Sequence, residues 1–242
     1  MKINKRTDIG IIVSVSAEGS MLCRNLGRKT RAGGLYYEGS LSGKQVMLTV
    51  SGIGKVNAAH AATRLIHNFS PAVIMNIGIG GAYPSSGLKI GDIAVAEKEI
   101  YGDEGVLLKD GFHGTDLIGI PLLKKGRKRY FNEFPLDKSY VRKSVSAASC
   151  FTPHVSRKGS FLTVSACTGT RKRAIELEYR FGAICENMEG AAIAHICTLY
   201  GVPVIEIRGI SNIVEDRDRS KWNITLAAEN CQKAALECIR AI

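Results

Sequence analysis

The sequence predicts an α/β fold with a central mixed, mostly parallel sheet in a single domain spanning residues 1–242. Three observations predict it. Apolar runs rich in Val and Ile alternate with stretches of helical period, as in a sheet covered on both faces. Hydrophobic residues make up 45% of the 242, enough for one large core. Glycines follow two of the strand-like runs, where the chain must turn into a helix or admit a close neighbour.

Along the chain, the apolar run Asp8–Val15 predicts a first strand and Ala17–Leu26 a helix behind it. Gly39 to Gln45 is too short for a phosphate loop and predicts a hairpin turn. The strand Val46–Ser51 leads through Gly52-Ile-Gly-Lys55 into the helix Val56–Phe69. That turn could hold an anion on backbone N–H groups, and a plain strand-to-helix turn explains it equally well. Ala72–Ile79 is the strongest strand, and Gly78 to Gly81 after it predicts a pocket-lining loop. Further strands are expected at Asp92–Glu97, Ser160–Ser165 and Val202–Ile210, and further helices at Arg171–Phe181, Gly190–Tyr200 and Ile224–Ala241. Leu122–Ser139, charged and irregular, reads as a long surface excursion within the domain.

Composition removes several function classes. No apolar run is long enough to span a bilayer, so no membrane partner is expected. The basic start, Met1 to Asp8, has no cleavage-site pattern, and the protein reads as cytoplasmic. The seven cysteines include no Cys-x-x-Cys pair and fit buried reduced thiols. The histidines lack zinc spacing, so no metal site is expected. A net charge of +11 raises nucleic-acid binding. Yet the clusters Lys124–Arg129, Arg157-Lys158 and Arg171–Arg173 carry no interleaved aromatics and no recognition helix. They read as solvated surface that could attract an anionic small substrate, with no nucleic-acid partner.

The chemistry-bearing stretch is Asn187-Met-Glu-Gly-Ala-Ala192, followed by Arg208-Gly-Ile-Ser-Asn212. Glu189 opens a small-residue helix and Asn212 ends an apolar strand, the two places where open α/β sheets gather ligands. With no basic residue close before it in sequence, Glu189 is free to accept from a vicinal diol such as ribose hydroxyls. The structural alternatives are a carboxylate that merely caps or charges its helix start and a turn asparagine.

In order along the chain, these motifs resemble the purine nucleoside phosphorylase and nucleosidase superfamily. The matching segments are Gly10-Ile-Ile12 with Glu18, Ser51-Gly-Ile-Gly-Lys-Val-Asn57, Asn76-Ile-Gly-Ile-Gly-Gly81, Gly91-Asp-Ile-Ala-Val95, Asn187–Ala192 and Arg208–Asn212. Within it the nearest look is to the futalosine hydrolase branch, which serves an alternative menaquinone pathway. That look rests on Tyr101-Gly-Asp-Glu-Gly105, Asp110-Gly-Phe112, Ser165-Ala-Cys-Thr-Gly-Thr170, and Asn212 with Asp216-Arg-Asp218 and Trp222. The cousin branch, methylthioadenosine/S-adenosylhomocysteine nucleosidase, usually carries aspartate where Asn212 stands and an aromatic residue near Thr168–Thr170.

The resemblance implies a three-layer α/β/α fold, a purine nucleoside substrate and an N-glycosyl hydrolase that needs no cofactor. It also implies a homo-oligomer, a dimer or higher. Glu18 takes the position of the water-binding carboxylate, although a first-turn helix glutamate is the common use of such a residue. Glu189 grips the ribose 2′- and 3′-hydroxyls, Met188 packs under the sugar, and Asn212 faces N7 of the base. Ile79, Gly80, Thr168 and Gly169 line the pocket. The reaction expected on this footing is release of hypoxanthine from futalosine. The rivals are methylthioadenosine-type hydrolysis, phosphorolysis by a phosphate-dependent purine nucleoside phosphorylase, and a nucleoside- or nucleic-acid-binding protein without catalysis.

Overall fold

The computed structural model describes residues 7–26, 28–31, 35–150 and 155–242. The basic start at 1–6 lies outside them. The first strand, β1 (Ile9–Val13), is wholly buried, and a 3₁₀ turn at Ser16–Gly19 precedes α1 (Ser20–Leu26). The helix expected from Ala17 is therefore two short elements. Then come β2 (Arg28–Arg31), β3 (Leu35–Leu41), β4 (Lys44–Val50) and α2 (Lys55–Phe69). β3 and β4 pair antiparallel, and the turn between them puts Ser42 and Gly43 at φ 49° and 79°. This is the expected hairpin, closed by two left-handed residues.

The long strand β5 (Val73–Ala82) carries the glycines that the sequence suggested were a loop. They stay in the strand because β14 and β13 pair alongside it as far as Ala82. Their missing side chains leave room for others. A Cβ on Gly78 would stand 2.5 Å from Glu18, and one on Gly80 would stand 2.5 Å from Cys185. After β6 (Ile93–Tyr101) and the hairpin β7 (Gly105–Leu108) and β8 (Gly111–Gly114), the excursion is more ordered than expected. It forms a second hairpin, β9 (Leu123–Lys125) with β10 (Lys128–Tyr130), and a short edge strand, β11 (Glu133–Pro135), on β6. Helix α3 (Lys138–Ser149) follows, with Asp137 capping its first amides.

The rest of the chain is β12 (Ser156–Thr163), α4 (Arg171–Phe181), β13 (Ala183–Asn187), α5 (Gly190–Tyr200), β14 (Val204–Ile213), a 3₁₀ turn at Arg219–Lys221 and α6 (Ile224–Ala241). The main sheet runs β11-β6-β12-β13-β5-β1-β4-β3-β2, and β14 joins β5 to β6. The sheet is mixed, as expected. The pairs β1–β4, β1–β5, β5–β14, β6–β12 and β12–β13 are parallel, and β5–β13 and β6–β14 are antiparallel. β5, β13, β12, β6 and β14 thereby close into a ring.

Helices flank the sheet in two groups. α2 packs on α5, while α1 and α3 pack on α6. Continuous burial of Ile9, Ile11, Ile12, Leu48, Ile74, Met75 and Ile207 explains why these strands read as unbroken apolar runs. No helix among the described residues is long and apolar enough to cross a membrane. Among them, too, no three His, Cys, Asp or Glu side chains gather as a metal-binding group. The cysteines are all free, and Cys150 and Cys167 are exposed rather than buried.

Candidate active site

One cavity of about 290 Å³ opens at the ends of β5, β13 and β14. Glu18, Ile79, Gly80, Thr168, Met188, Glu189 and Asn212 line it together. Gly169 does not. It faces a neighbouring hollow, and its carbonyl accepts from the Arg217 N–H at 3.2 Å.

Glu18 comes from the 3₁₀ turn after β1 and is 4% exposed. Its Oε2 accepts from the N–H groups of Ser14 and Val15 at 3.0 and 3.2 Å, and its Oε1 from Ile79 N–H at 2.8 Å. A carboxylate offers about four acceptor positions, so one remains, on Oε1. Burial pushes the Glu18 carboxyl above its ordinary range. Arg208 and the backbone donors pull the other way, and Glu189 adds to the rise.

Glu189 stands at the head of α5 and makes no cap bond to it. The capping is done by Asn187, whose Oδ1 accepts from the N–H groups of Glu189 and Gly190 at 2.9 and 2.7 Å. The Glu189 side chain turns instead to the turn after β4, where Gly54 N–H donates to Oε1 at 2.9 Å. Gly54 has φ 92°, a left-handed conformation that favours glycine. The backbone turn that could hold an anion thus holds one belonging to the protein.

Glu189 is not as free as its sequence neighbours suggested. Nη1 of Arg208 lies 3.8 Å from its Oε2. Arg208 is 1% exposed and donates from Nε and Nη2 to Glu206 Oε1 at 3.0 and 2.8 Å. Burial pulls its pKa down, but the carboxylates of Glu206, Glu189 and Glu18 outweigh burial and push it above the ordinary arginine value. Behind Glu206 lies Glu99, fully buried and hydrogen-bonded to it. Burial, then the Glu206 carboxylate, push Glu99 well up. Asn187 Nδ2 donates to Glu99 at 2.7 Å, which ties this carboxyl pair to the head of α5.

At the other end, a bulge at Ser211 lets Ile210 and Asn212 pair with consecutive residues of β5. The Asn212 amide is pinned. Its Nδ2 donates to the Ile213 carbonyl at 3.1 Å, and its Oδ1 accepts from the Ser211 hydroxyl at 2.7 Å. One N–H and one lone pair are left. Arg217 stacks over Trp222 at 4.8 Å, and both line the same cavity. Cys167 Sγ lies 3.3 Å from Met188 Sδ on the wall.

Sequence reasoning missed Arg208 and Glu186 as site residues. Arg208 lay inside a quoted motif, four residues before Asn212, and a charge in an apolar strand was the available signal. Lys55, at the end of the Gly52–Lys55 turn, is held by Asp103 and Glu104. Among the described residues, none of the basic clusters lines the cavity, whose one lining cation is Arg217.

A buried carboxylate with one open acceptor position, a second carboxylate and a pinned amide thus share one apolar cavity. The chain belongs to the Phosphorylase superfamily, whose family model matches residues 8–240. It is 32% identical over 238 residues to the 5′-methylthioadenosine/S-adenosylhomocysteine nucleosidase of Psychromonas ingrahamii, covering 96% of this chain and 97% of the relative. It is 35% identical over 182 residues to the futalosine hydrolase of Thermus thermophilus, covering 75% of this chain and 76% of that one. Within the superfamily the chain is an enzyme of the nucleosidase family, which hydrolyses N-glycosidic bonds.

Two solved structures share the fold over nearly its whole length. One is the 5′-methylthioadenosine/S-adenosylhomocysteine nucleosidase of Neisseria meningitidis in complex with methylthio-immucillin-A, with TM-score 0.83, 24% identity, and 98% and 100% of the two chains covered. The other is the native futalosine hydrolase of Helicobacter pylori, with TM-score 0.82, 21% identity and 98% of each chain covered.

Proposed function

We propose that the chain hydrolyses the N-ribosidic bond of a 6-oxopurine nucleoside, with futalosine as substrate and hypoxanthine and dehypoxanthine futalosine as products. The observation that carries the reading is the pinned amide of Asn212. Its free N–H suits the O6 acceptor of hypoxanthine, and its free lone pair suits N7–H of the departing base. Adenine would set its N6 donor against that N–H. Flipping the amide to suit N6 would turn an oxygen toward the Ile213 carbonyl.

Glu189 accepts from the ribose 2′- and 3′-hydroxyls, and Met188 lies under the sugar. The ring gains positive charge as the bond to the base stretches, so the carboxylate acts most strongly in the transition state. Glu18 accepts a proton from the attacking water at its remaining Oε1 position, and burial, by raising its pKa, makes it a stronger base than an ordinary glutamate. The water's hydroxyl bonds to C1′ and a proton ends on the purine. Asn212 has no proton to give, so it holds N7–H while solvent supplies the proton. Ile53 on the cavity rim and Val56 three residues on, 57% and 83% accessible, are side chains that a second copy would cover, and the reading includes a homo-oligomer.

Methylthioadenosine or S-adenosylhomocysteine hydrolysis is the competing reading. The near-complete coverage of the Psychromonas relative favours it. Base release from futalosine, inosine, methylthioadenosine and S-adenosylhomocysteine, with and without phosphate and in EDTA, separates the readings. Hypoxanthine release that needs no phosphate is expected. Faster release of adenine would favour the competitor, and dependence on phosphate would mark a phosphorylase.

A further inference from the structure

Glu186 projects from β13 into the cavity, and neither the ribose grip nor the water base uses it. Gly81 of β5 is the pairing partner of both Glu186 on one side and Asn212 on the other. The two side chains therefore lie on one face on either side of Gly81, where Asn212 and Val214 lean in over the glycine, with their backbones about 10 Å apart, two strand spacings. Oε2 of Glu186 accepts from the Thr168 hydroxyl at 2.6 Å and from the Tyr83 hydroxyl at 2.9 Å. Oε1 accepts from Thr168 N–H at 2.9 Å. Every contact is a donor, and one acceptor position remains, on Oε1.

We propose that Glu186 reads N1–H of the bound base and so selects purines whose N1 carries a proton, the lactam form of a 6-oxopurine. This rests on the proposed hydrolysis at the same site. Taken with Asn212, the wall presents acceptor, donor, acceptor. The facing edge of hypoxanthine presents N7–H, O6 and N1–H, which is donor, acceptor, donor. Adenine presents a lone pair at N1 and meets a carboxylate there. The backbone donor that could satisfy that lone pair, Thr168 N–H, is already taken by Glu186. If Glu186 only fastened the Thr168 loop to Tyr83, it would hold both bases equally.

The test is equilibrium binding of free hypoxanthine and free adenine, which have nearly the same size, to the wild type, Glu186→Ala and Glu186→Gln. The ratio of the two Kd values on one sample does not depend on the folded fraction. The wild type is expected to prefer hypoxanthine. In Glu186→Ala the acceptor is gone and Thr168 N–H is freed, so the ratio moves toward adenine by about tenfold or more. Glu186→Gln keeps the volume without the charge and moves it less in the same direction, and it carries the test if the alanine variant does not fold. Equal loosening of both bases, or an unchanged ratio in both variants, would overturn the assignment, as would a wild type that prefers adenine. Failure of the hydrolysis reading shows separately. It would appear as absent base release alongside the expected shift in the ratio, which leaves the role of Glu186 standing.

Discussion

The Glu18–Glu189 end of the cavity and the Asn212 end are fastened in different ways. At the first, the carboxylates are held by backbone N–H groups of Ser14, Val15, Gly54 and Ile79 and by a buried arginine, drawn from segments far apart in the chain. At the second, the fastening is local. Asn212 leans on its neighbours Ser211 and Ile213, and the outer wall is the Arg217–Trp222 stack on a surface loop. A substitution at the first end disturbs the core and the chemistry together. One at the second changes which base fits and leaves the fold intact. The expected effects below set one end against the other.

The largest concerns Glu18. Loss of a general base costs about 10²–10⁴-fold in rate, so Glu18→Gln is expected to lose turnover on that scale in steady-state assays. Near-normal turnover would remove Glu18 from the water position. The variant should also melt earlier, because an amide oxygen cannot serve both sets of backbone donors that the carboxylate serves. In the wild type, burial raises the Glu18 pKa, and the ionised form is the active one. The acid limb of kcat/KM should therefore lie above the ordinary glutamate value of about 4.3. Stability runs the other way. The folded state keeps the proton longer than the unfolded chain, so this stabilising contribution is full at low pH and fades as pH rises through the raised pKa. Activity should thus rise across a window in which this contribution falls.

Arg208 comes next. It is buried among Glu206, Glu189 and Glu18, and Arg208→Met leaves those carboxylates without their counter-charge. Breaking a buried pair costs about 3–5 kcal/mol, a large share of the roughly 5–15 kcal/mol that holds a domain folded. Urea unfolding measures it. A wild-type midpoint would mean that the carboxylates do not depend on the arginine.

The same contrast explains what was legible in the sequence. The strands β1, β4, β5, β6 and β14, and the second half of β12, showed as apolar runs because most of their residues are buried on both faces. β13 did not, because its run ends in buried Glu186 and Asn187, which bond to distant Thr168, Tyr83 and Glu99. Helix α3 was hidden inside and behind a charged stretch. Glu189, Asn212 and Glu18 could be picked out because they sit at strand ends and helix starts in recognisable motifs. The buried Arg208–Glu206–Glu99 chain could not, because Glu99 comes from β6, far in sequence from Glu206 and Arg208 on β14.

A smaller effect belongs to the base end. Asn212→Asp replaces a pinned donor–acceptor pair with a group that, when protonated, donates to N7 and accepts from N6. An unmatched polar contact is worth about 1–3 kcal/mol, so kcat/KM should shift about ten- to a hundredfold from hypoxanthine toward adenine substrates. The melting temperature should change little, since Asn212 is only half-buried and its partners are local. If Asn212→Asp destabilises the protein as much as Arg208→Met does, the contrast between the two ends is wrong.

The smallest effect comes from charge at a distance. The net charge of +11 suggests attraction for a substrate with an acidic group beyond the 5′ carbon. The structure limits how strong that attraction can be. Lys124–Arg129 lies along the β9–β10 hairpin, Lys158 is paired with Glu97 and Arg173 with Glu176, and the cavity wall itself offers Arg217 against Glu18, Glu186 and Glu189. Charges more than about 8 Å away are largely screened at physiological salt. They can speed encounter at low salt but cannot grip the bound anion. Raising ionic strength from about 0.02 to about 0.2 M should therefore lower kcat/KM for the anionic substrate only about two- to fivefold, and leave kcat unchanged. Uncharged inosine, or an amide of the anionic substrate, should show no such change. Equal salt responses for the charged and uncharged substrates would remove electrostatic steering. A much steeper response carried by KM would mean that a cation outside this wall, such as one from a second copy of the chain, contacts the acid directly.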